Sequence, residues 1–199
     1  MKRIIICILL LVSCILPARA WRISNELKEE VADKKAIVAQ NPTDPQANFE
    51  LAITYAYTNN IIEGMSLLKK VVQLDPTFKD RALPLYIEKV NTEPNDWKLR
   101  FRLAFAYYFN EQRTDAVREL KNVLIIDPNN VWAHGYLALI YGELDNVDLA
   151  MAFTKKGLAI DNNVAALHLL LAEGYYKKGD SWRGFLERME AVRLKALGF

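Results

Sequence analysis

Apolar residues recur along this chain at helical spacing, and one pattern returns four times. The stretches are LAITYAYTNNIIEGMSLLKKVVQLDP from Leu51, LAFAYYFNEQRTDAVRELKNVLIIDP from Leu103, LALIYGELDNVDLAMAFTKKGLAIDN from Leu137 and LAEGYYKKGDSWRGFLERMEAVRLKA from Leu171. Each opens Leu-Ala with Tyr four residues after the Leu, so Leu51, Ala52 and Tyr55 share a helix face, as do their counterparts. Gly64, Ala116, Ala150 and Gly184 put a small residue in the helix that follows, which lets two helices approach closely. Asn59-Asn60, Asn110, Asp145-Asn146 and Lys178-Gly179-Asp180 separate the helices of each pair. Asp-Pro-Thr and Asp-Pro-Asn-Asn close the first two units, because Pro cannot continue a helix. The last three units start 34 residues apart; the first interval is 52, longer by 18. A period near 34 marks a helical array whose units must stack to bury their apolar faces, and such arrays are mostly binding scaffolds.

Two segments fall outside the four units. Residues 23–40 predict a helix with Ile23, Leu27, Val31 and Val38 near one face, ending at Asn41-Pro42. Residues 23–42 therefore read as the second helix of an incomplete leading unit, a cap. Glu30 and Lys34 on it form an i,i+4 pair worth a few tenths of a kcal/mol, about 0.3. Residues 79–96 are the excess: Leu83, Leu85, Tyr86, Ile87 and Val90 predict one helix where the array expects two. Pro84 is expected in its first turn. An odd helix should interrupt the regular superhelix between the first and second units. The expected organisation is a leader at 1–20 and one repeat domain at 21–199. Its units are 45–78, 97–130, 131–164 and 165–198, with 79–96 between the first two.

Composition sharpens this picture at the N-terminus. With 52% apolar and 25% charged residues the chain is a folded protein rather than a disordered one. Part of the apolar share lies in the first 20 residues: Lys2 and Arg3, an apolar run Ile4–Leu16 broken by Ser13, then Pro17-Ala18-Arg19-Ala20. This has the three parts of a secretory signal, and cleavage is expected after Ala20, giving an exported chain that starts at Trp21. Periplasm or cell envelope is the expected location, with secretion as an alternative. A competing reading starts from Leu11-Val12-Ser13-Cys14, which resembles the bacterial lipobox; there Cys14 would be lipidated and would become the N-terminus. Ile15-Leu16-Pro17 after Cys14 continues an apolar core, which favours cleavage at Ala20. Both cysteines, Cys7 and Cys14, lie in this leader, so a chain from Trp21 has no disulfide, thiol nucleophile or Cys-based metal site. Removing the leader's Lys2, Arg3 and Arg19 takes the net charge from +2 to −1, and the basic balance that nucleic acid would require disappears.

The repeats resemble the tetratricopeptide repeat family. That pattern has a large residue at position 4, Leu at 7, a small residue at 8, Tyr at 11, a small residue at 20, a large one at 24, Ala at 27 and Pro at 32. From Pro45 the first unit supplies Asn48, Leu51, Ala52, Tyr55, Gly64, Leu68, Val71 and Pro76. From Trp97 the second supplies Arg100, Leu103, Ala104, Tyr107, Ala116, Leu120, Val123 and Pro128. From Val131 the third supplies His134, Leu137, Ala138, Tyr141, Ala150, Thr154, Gly157 and Asn162. From Ala165 the fourth supplies His168, Leu171, Ala172, Tyr175, Gly184, Arg188 and Ala191. Positions 4 and 24 depart from the pattern, and the third unit lacks the Pro. The resemblance implies an all-α, right-handed α-solenoid of stacked antiparallel helix pairs. It also implies a concave wall lined by the first helix of each unit, chiefly at positions 2, 5, 9, 12 and 13. The residues so placed include Phe49, Ile53, Tyr57, Phe101, Phe105, Tyr108, Trp132, Leu139, Leu169 and Tyr176, a wall mainly aromatic and apolar. It lacks the Lys and Asn residues by which some family members clamp a C-terminal carboxylate. Neighbouring helices, or the odd helix at 79–96, could instead cover part of it.

Catalytic chemistry is not expected. His134 and His168 are 34 residues apart and both fill position 4, which reads as a shared packing slot rather than as a pair of metal ligands or bases. There is no HExxH or CxxC spacing, no Gly-rich phosphate loop and no GxSxG elbow. The expected function is a non-catalytic adaptor of the bacterial cell envelope with no cofactor and no metal, holding an apolar segment or helix of a protein partner in its groove. The alternative is an assembly factor for outer-membrane or pilus complexes, membrane-bound through a lipid on Cys14.

Overall fold

The computed structural model describes residues 24–198. The leader, with Cys14 and Ala20, lies outside the described residues, as do Trp21 and Ile23. The described residues form ten α-helices: α1 (Asn25–Gln40), α2 (Pro45–Ala56), α3 (Ile61–Leu74), α4 (Phe78–Thr92), α5 (Trp97–Phe109), α6 (Arg113–Ile126), α7 (Val131–Glu143), α8 (Val147–Ile160), α9 (Ala165–Lys177) and α10 (Ser181–Ala196). Their starts follow from the sequence. Asp44, Asp96, Asn130, Asn146 and Asp180 each accept a backbone N–H from the first turn of the helix they precede, and Pro45 takes the first helical position of α2. Pro84 instead lies well inside α4. The turn within each pair passes through a left-handed residue at the same point of the period: Asn59, Glu111, Asp145 and Gly179, with φ of 60°, 60°, 56° and 79°. Only Gly179 adopts this conformation without a Cβ penalty.

Position 4 holds Asn48, Arg100, His134 and His168, three different side-chain types. They do one job. Each reaches back six residues to a carbonyl in the preceding turn: Asn48 Nδ2 to Pro42 O at 3.1 Å, Arg100 Nε to Pro94 O at 2.7 Å, His134 Nε2 to Pro128 O at 3.3 Å and His168 Nε2 to Asn162 O at 2.9 Å. A carbonyl oxygen only accepts, so in each imidazole Nε2 is a protonated donor nitrogen. The slot requires a nitrogen donor of suitable reach, and Asn, Arg and His all supply one. The two histidines thus tie turns to helices.

From α4 onward the chain stacks regularly. α6 packs along α7 and α8 along α9, and α4 holds the equivalent place beside α5. Successive first helices run in the same direction: Phe101 and Phe105 of α5 meet Tyr136 early in α7, at 5.5 and 4.9 Å between rings, while Tyr108 late in α5 meets Glu143 at the end of α7. The pair α2–α3 does not continue this order. Phe49 near the start of α2 lies 5.8 Å from Phe109 at the end of α5, and Tyr57, just past the end of α2, lies 5.2 Å from Trp97 at the start of α5. α2 therefore runs opposite to α5. The odd helix is the cause: chain direction alternates from helix to helix, so inserting α4 alone reverses the parity. α4 takes the outer place beside α5, and the α2–α3 hairpin lies across the inner side of α5 and α7, where the Tyr136 hydroxyl donates to the Ala56 carbonyl at 3.3 Å.

Candidate functional site: the inner groove

The inner faces of α5, α7 and α9 form the wall on which the sequence places a partner. The hairpin covers that wall from one end, and the same repeat position shows how far. At position 9, Ile53 is 0%, Phe105 9% and Leu139 37% exposed. At position 5, Phe49 is 1%, Phe101 0% and Leu169 46% exposed. Six of the ten expected wall residues are thus core: Phe49, Ile53, Tyr57, Phe101, Phe105 and Trp132. Phe49 and Tyr57 face α1, α4 and α5. Phe49 meets Phe78 and Tyr86 of α4 at 5.4 and 5.6 Å, and Tyr57 meets Phe101 edge-on at 5.4 Å. Tyr108 and Tyr176 are half-buried, and Leu139 and Leu169 are exposed. The open part of the wall is therefore narrower than the sequence alone implied and lies toward the C-terminal repeats.

Between the hairpin and the wall is a cavity of about 210 Å³. Ala52, Ala56, Ile61, Gly64, Met65 and Leu68 line it on the hairpin side, and Ala104, Phe105, Tyr108, Phe109, Leu120, Tyr136, Leu139 and Ile140 on the wall side. Almost every atom it presents is carbon. α3 is an apolar helix that buries little: Gly64 and Val71 are buried, while Ile62 and Met65 are mostly exposed. At the groove's edge Tyr108 Oη donates to Glu143 at 2.5 Å, Arg113 Nε donates to Glu143 at 3.1 Å, and the Arg113 guanidinium lies over the Tyr108 ring at 4.2 Å. Burial, then the hydrogen bond to the Glu143 carboxylate, pushes the Tyr108 phenol up to about 12, so it stays protonated and a donor.

A buried ionic network fastens the N-terminal helices to α5, and it is the feature the periodicity concealed. Glu30 and Lys34 do not pair with each other on α1. Glu30 accepts from Tyr57 Oη at 2.5 Å and from Arg102 Nη2 at 2.9 Å, and lies 2.8 Å from Lys98 Nζ. Lys34 pairs with Glu50 of α2, which also accepts from Gln46 at 2.9 Å. Burial works to raise the Glu50 carboxyl, but the hydrogen bonds from Lys34 and Gln46 and the charges of Lys34 and Arg102 outweigh it and hold it at about 2. Glu30 is lowered on the same balance: burial opposes, while Lys98, Tyr57 and Arg102 prevail. Lys98 and Arg102, four residues apart on one face of α5 whose next residues are Phe105 and Ala106, are the sequence signal of this arrangement. Among the described residues no group of three or more His, Cys, Asp or Glu is placed to hold a metal ion.

The tetratricopeptide repeat family model matches residues 110–174, from the turn before α6 into α9. TPR repeat-containing protein MJ1428 of Methanocaldococcus jannaschii is 34% identical over 86 residues, 42% of this chain. That match spans 15% of the relative's length. The crystal structure of MamA superposes on 87% of this chain and 91% of its own, with a TM-score of 0.50 and 16% identity, a likeness of fold alone. Repeat sequence matching the tetratricopeptide model across 110–174, and a helical stack similar to MamA along most of its length, together show an α-solenoid fold.

Proposed function

We propose that this protein is a non-catalytic adaptor of the bacterial cell envelope that holds an apolar segment or helix of a partner protein in its inner groove. The observation that carries this reading is the carbon-lined cavity beneath α3, which opens toward the exposed Leu139, with Leu169 further along the same wall. Aromatic and aliphatic groups gathered in a concave, water-excluding site supply most of a typical binding free energy. Export rests on the leader at 1–20 with cleavage after Ala20. The Leu11-Val12-Ser13-Cys14 sequence supports the second reading, an assembly factor anchored by a lipid on Cys14. The intact mass of the mature protein separates these: a chain starting at Trp21 for the first, a diacylated N-terminal Cys14 for the second.

Groove binding is tested with a photoreactive side chain at position 139 in the full-length protein inside producing cells. The control is the same group at position 125, where Ile125 is 77% exposed on the second helix of its unit. Position 139 should give one discrete protein adduct that disappears when Leu169→Glu is added. Equal adducts from both positions would show that the partner does not use the groove.

A further inference from the structure

The last helix carries a second apolar surface, on the side opposite to its packing with α9. α10 buries Gly184, Ala191 and Leu194. Its other face exposes Trp182, Phe185, Leu186, Met189 and Val192, and the rings of Trp182 and Phe185 stack at 5.9 Å. Trp182, Phe185, Met189 and Val192 follow a three-four spacing, the seam by which one helix packs along another. Phe185 and Val192 sit at repeat positions 21 and 28. In α8 the position-21 residue is Met151, which lies against Gly174 of the following helix, and in α6 it is Val117, which is buried. Phe185 thus holds the place through which earlier units grip the next helix.

Trp182, Leu186 and Met189 go beyond that. At the same three positions α6 has Thr114, Arg118 and Lys121, and α8 has Asp148, Ala152 and Lys155, all exposed. Only in α10 are these outer positions made entirely of large apolar side chains. Their edge is cationic. Arg188 and Lys195, seven residues apart on one flank, make no ion pair with any described residue, and Arg193 on the other flank is paired with Glu190. A second copy laid antiparallel against this face would set these cations against their own kind. Asp180 is likewise paired, with Arg183, so the unpaired charge bordering the stripe is that of the two cations.

We propose that the outer face of α10 docks an amphipathic helix of a different protein, with an apolar three-four seam and acidic residues placed to meet Arg188 and Lys195. Trp182 and Met189 anchor it and the two cations set its register. Val192 and Lys195 at its edge also line a cavity with Leu169 of the inner wall and Asn60 of the hairpin turn, whereas Trp182 and Met189 do not line it, so substitutions at those two positions test this face apart from the groove.

The test uses a synthetic fluorescent helix with Leu at three-four spacing and Glu on its flanks, titrated against the full-length protein by anisotropy. Saturable binding is expected, weakened about tenfold or more when the flanks are Lys, and likewise weakened by Trp182→Ser or Met189→Ser. Both substitutions are at exposed positions; helicity confirms folding. Arg188→Glu with Lys195→Glu, which leaves the apolar stripe intact, should reverse the preference toward the Lys-flanked helix. Equal binding of both helices, binding that survives Trp182→Ser, or no binding overturns the proposal. Adsorption to vesicles of phosphatidylcholine and phosphatidylglycerol without any preference between helices would assign the face to lipid instead. Dimerisation abolished by Trp182→Ser in sedimentation would assign it to a second copy.

Discussion

Phe105 and Leu139 occupy the same repeat position on the same wall, and the structure assigns them opposite roles. The Phe105 ring lies 5.5 Å from Phe101, nearly parallel, and 4.9 Å from Tyr136, edge-on. Truncating a buried Phe to Ala costs about 3–5 kcal/mol. One side of this ring faces the cavity of about 210 Å³, so contacts on that side are already missing. The expected loss is therefore near the lower end, about 3 kcal/mol. For a chain of this size that lowers the thermal midpoint by roughly 6–12 °C. Leu139→Ala removes a half-solvated side chain and should cost about 1 kcal/mol or less. The assay is urea and thermal unfolding of both variants and wild type, followed by circular dichroism and by tryptophan fluorescence, since repeat proteins can unfold in parts. If Phe105→Ala shifts the midpoint no more than Leu139→Ala does, the hairpin does not cover α5, and the account of the groove given above is wrong.

Glu50 predicts acid sensitivity. Its folded value of about 2 lies below the unfolded value of roughly 4.3, so its contribution is complete above that pH and is lost as pH falls toward 2. The full effect is about 3 kcal/mol by linkage; the urea midpoint of wild type should fall over this window more steeply than that of Glu50→Gln, and parallel curves would refute it. Gly64→Ala should destabilise, although Ala is the better helix former by about 1 kcal/mol, because its Cβ would stand 2.9 Å from the Ala52 carbonyl oxygen; a raised thermal midpoint would contradict this packing. Ala138, 1% exposed, should tolerate Leu poorly, at a cost of about 1–3 kcal/mol, and an unchanged urea midpoint would place it outside the helix contact.

Local rules written in the sequence account for the helices and their turns. Leu-Ala with Tyr four residues on sets a buried face, Asp or Asn before a helix caps it, and the left-handed turn falls at Asn59, Glu111, Asp145 and Gly179, one per unit. These depend on residues within a few positions of one another, so they are legible without knowing what lies across the molecule. The shared task of Asn48, Arg100, His134 and His168 was half legible: the period aligned them, but only their distances to the i−6 carbonyls showed that a nitrogen donor is what the slot requires. The site depended on something longer-ranged. Ile53, Phe105 and Leu139 are equivalent by period, yet one is sealed, one faces a cavity and one is exposed. That gradient arises because a single inserted helix, α4, reverses the direction of α2 relative to α5 and sends the hairpin across the inner wall. Periodicity counts residues along the chain and carries no record of which surface a reversed pair will cover. Glu30 and Lys34 show the same limit at the scale of two side chains. Adjacent on one helix, they read as partners, while the folded chain brings each a nearer counter-charge from another helix, Arg102 for Glu30 and Glu50 for Lys34.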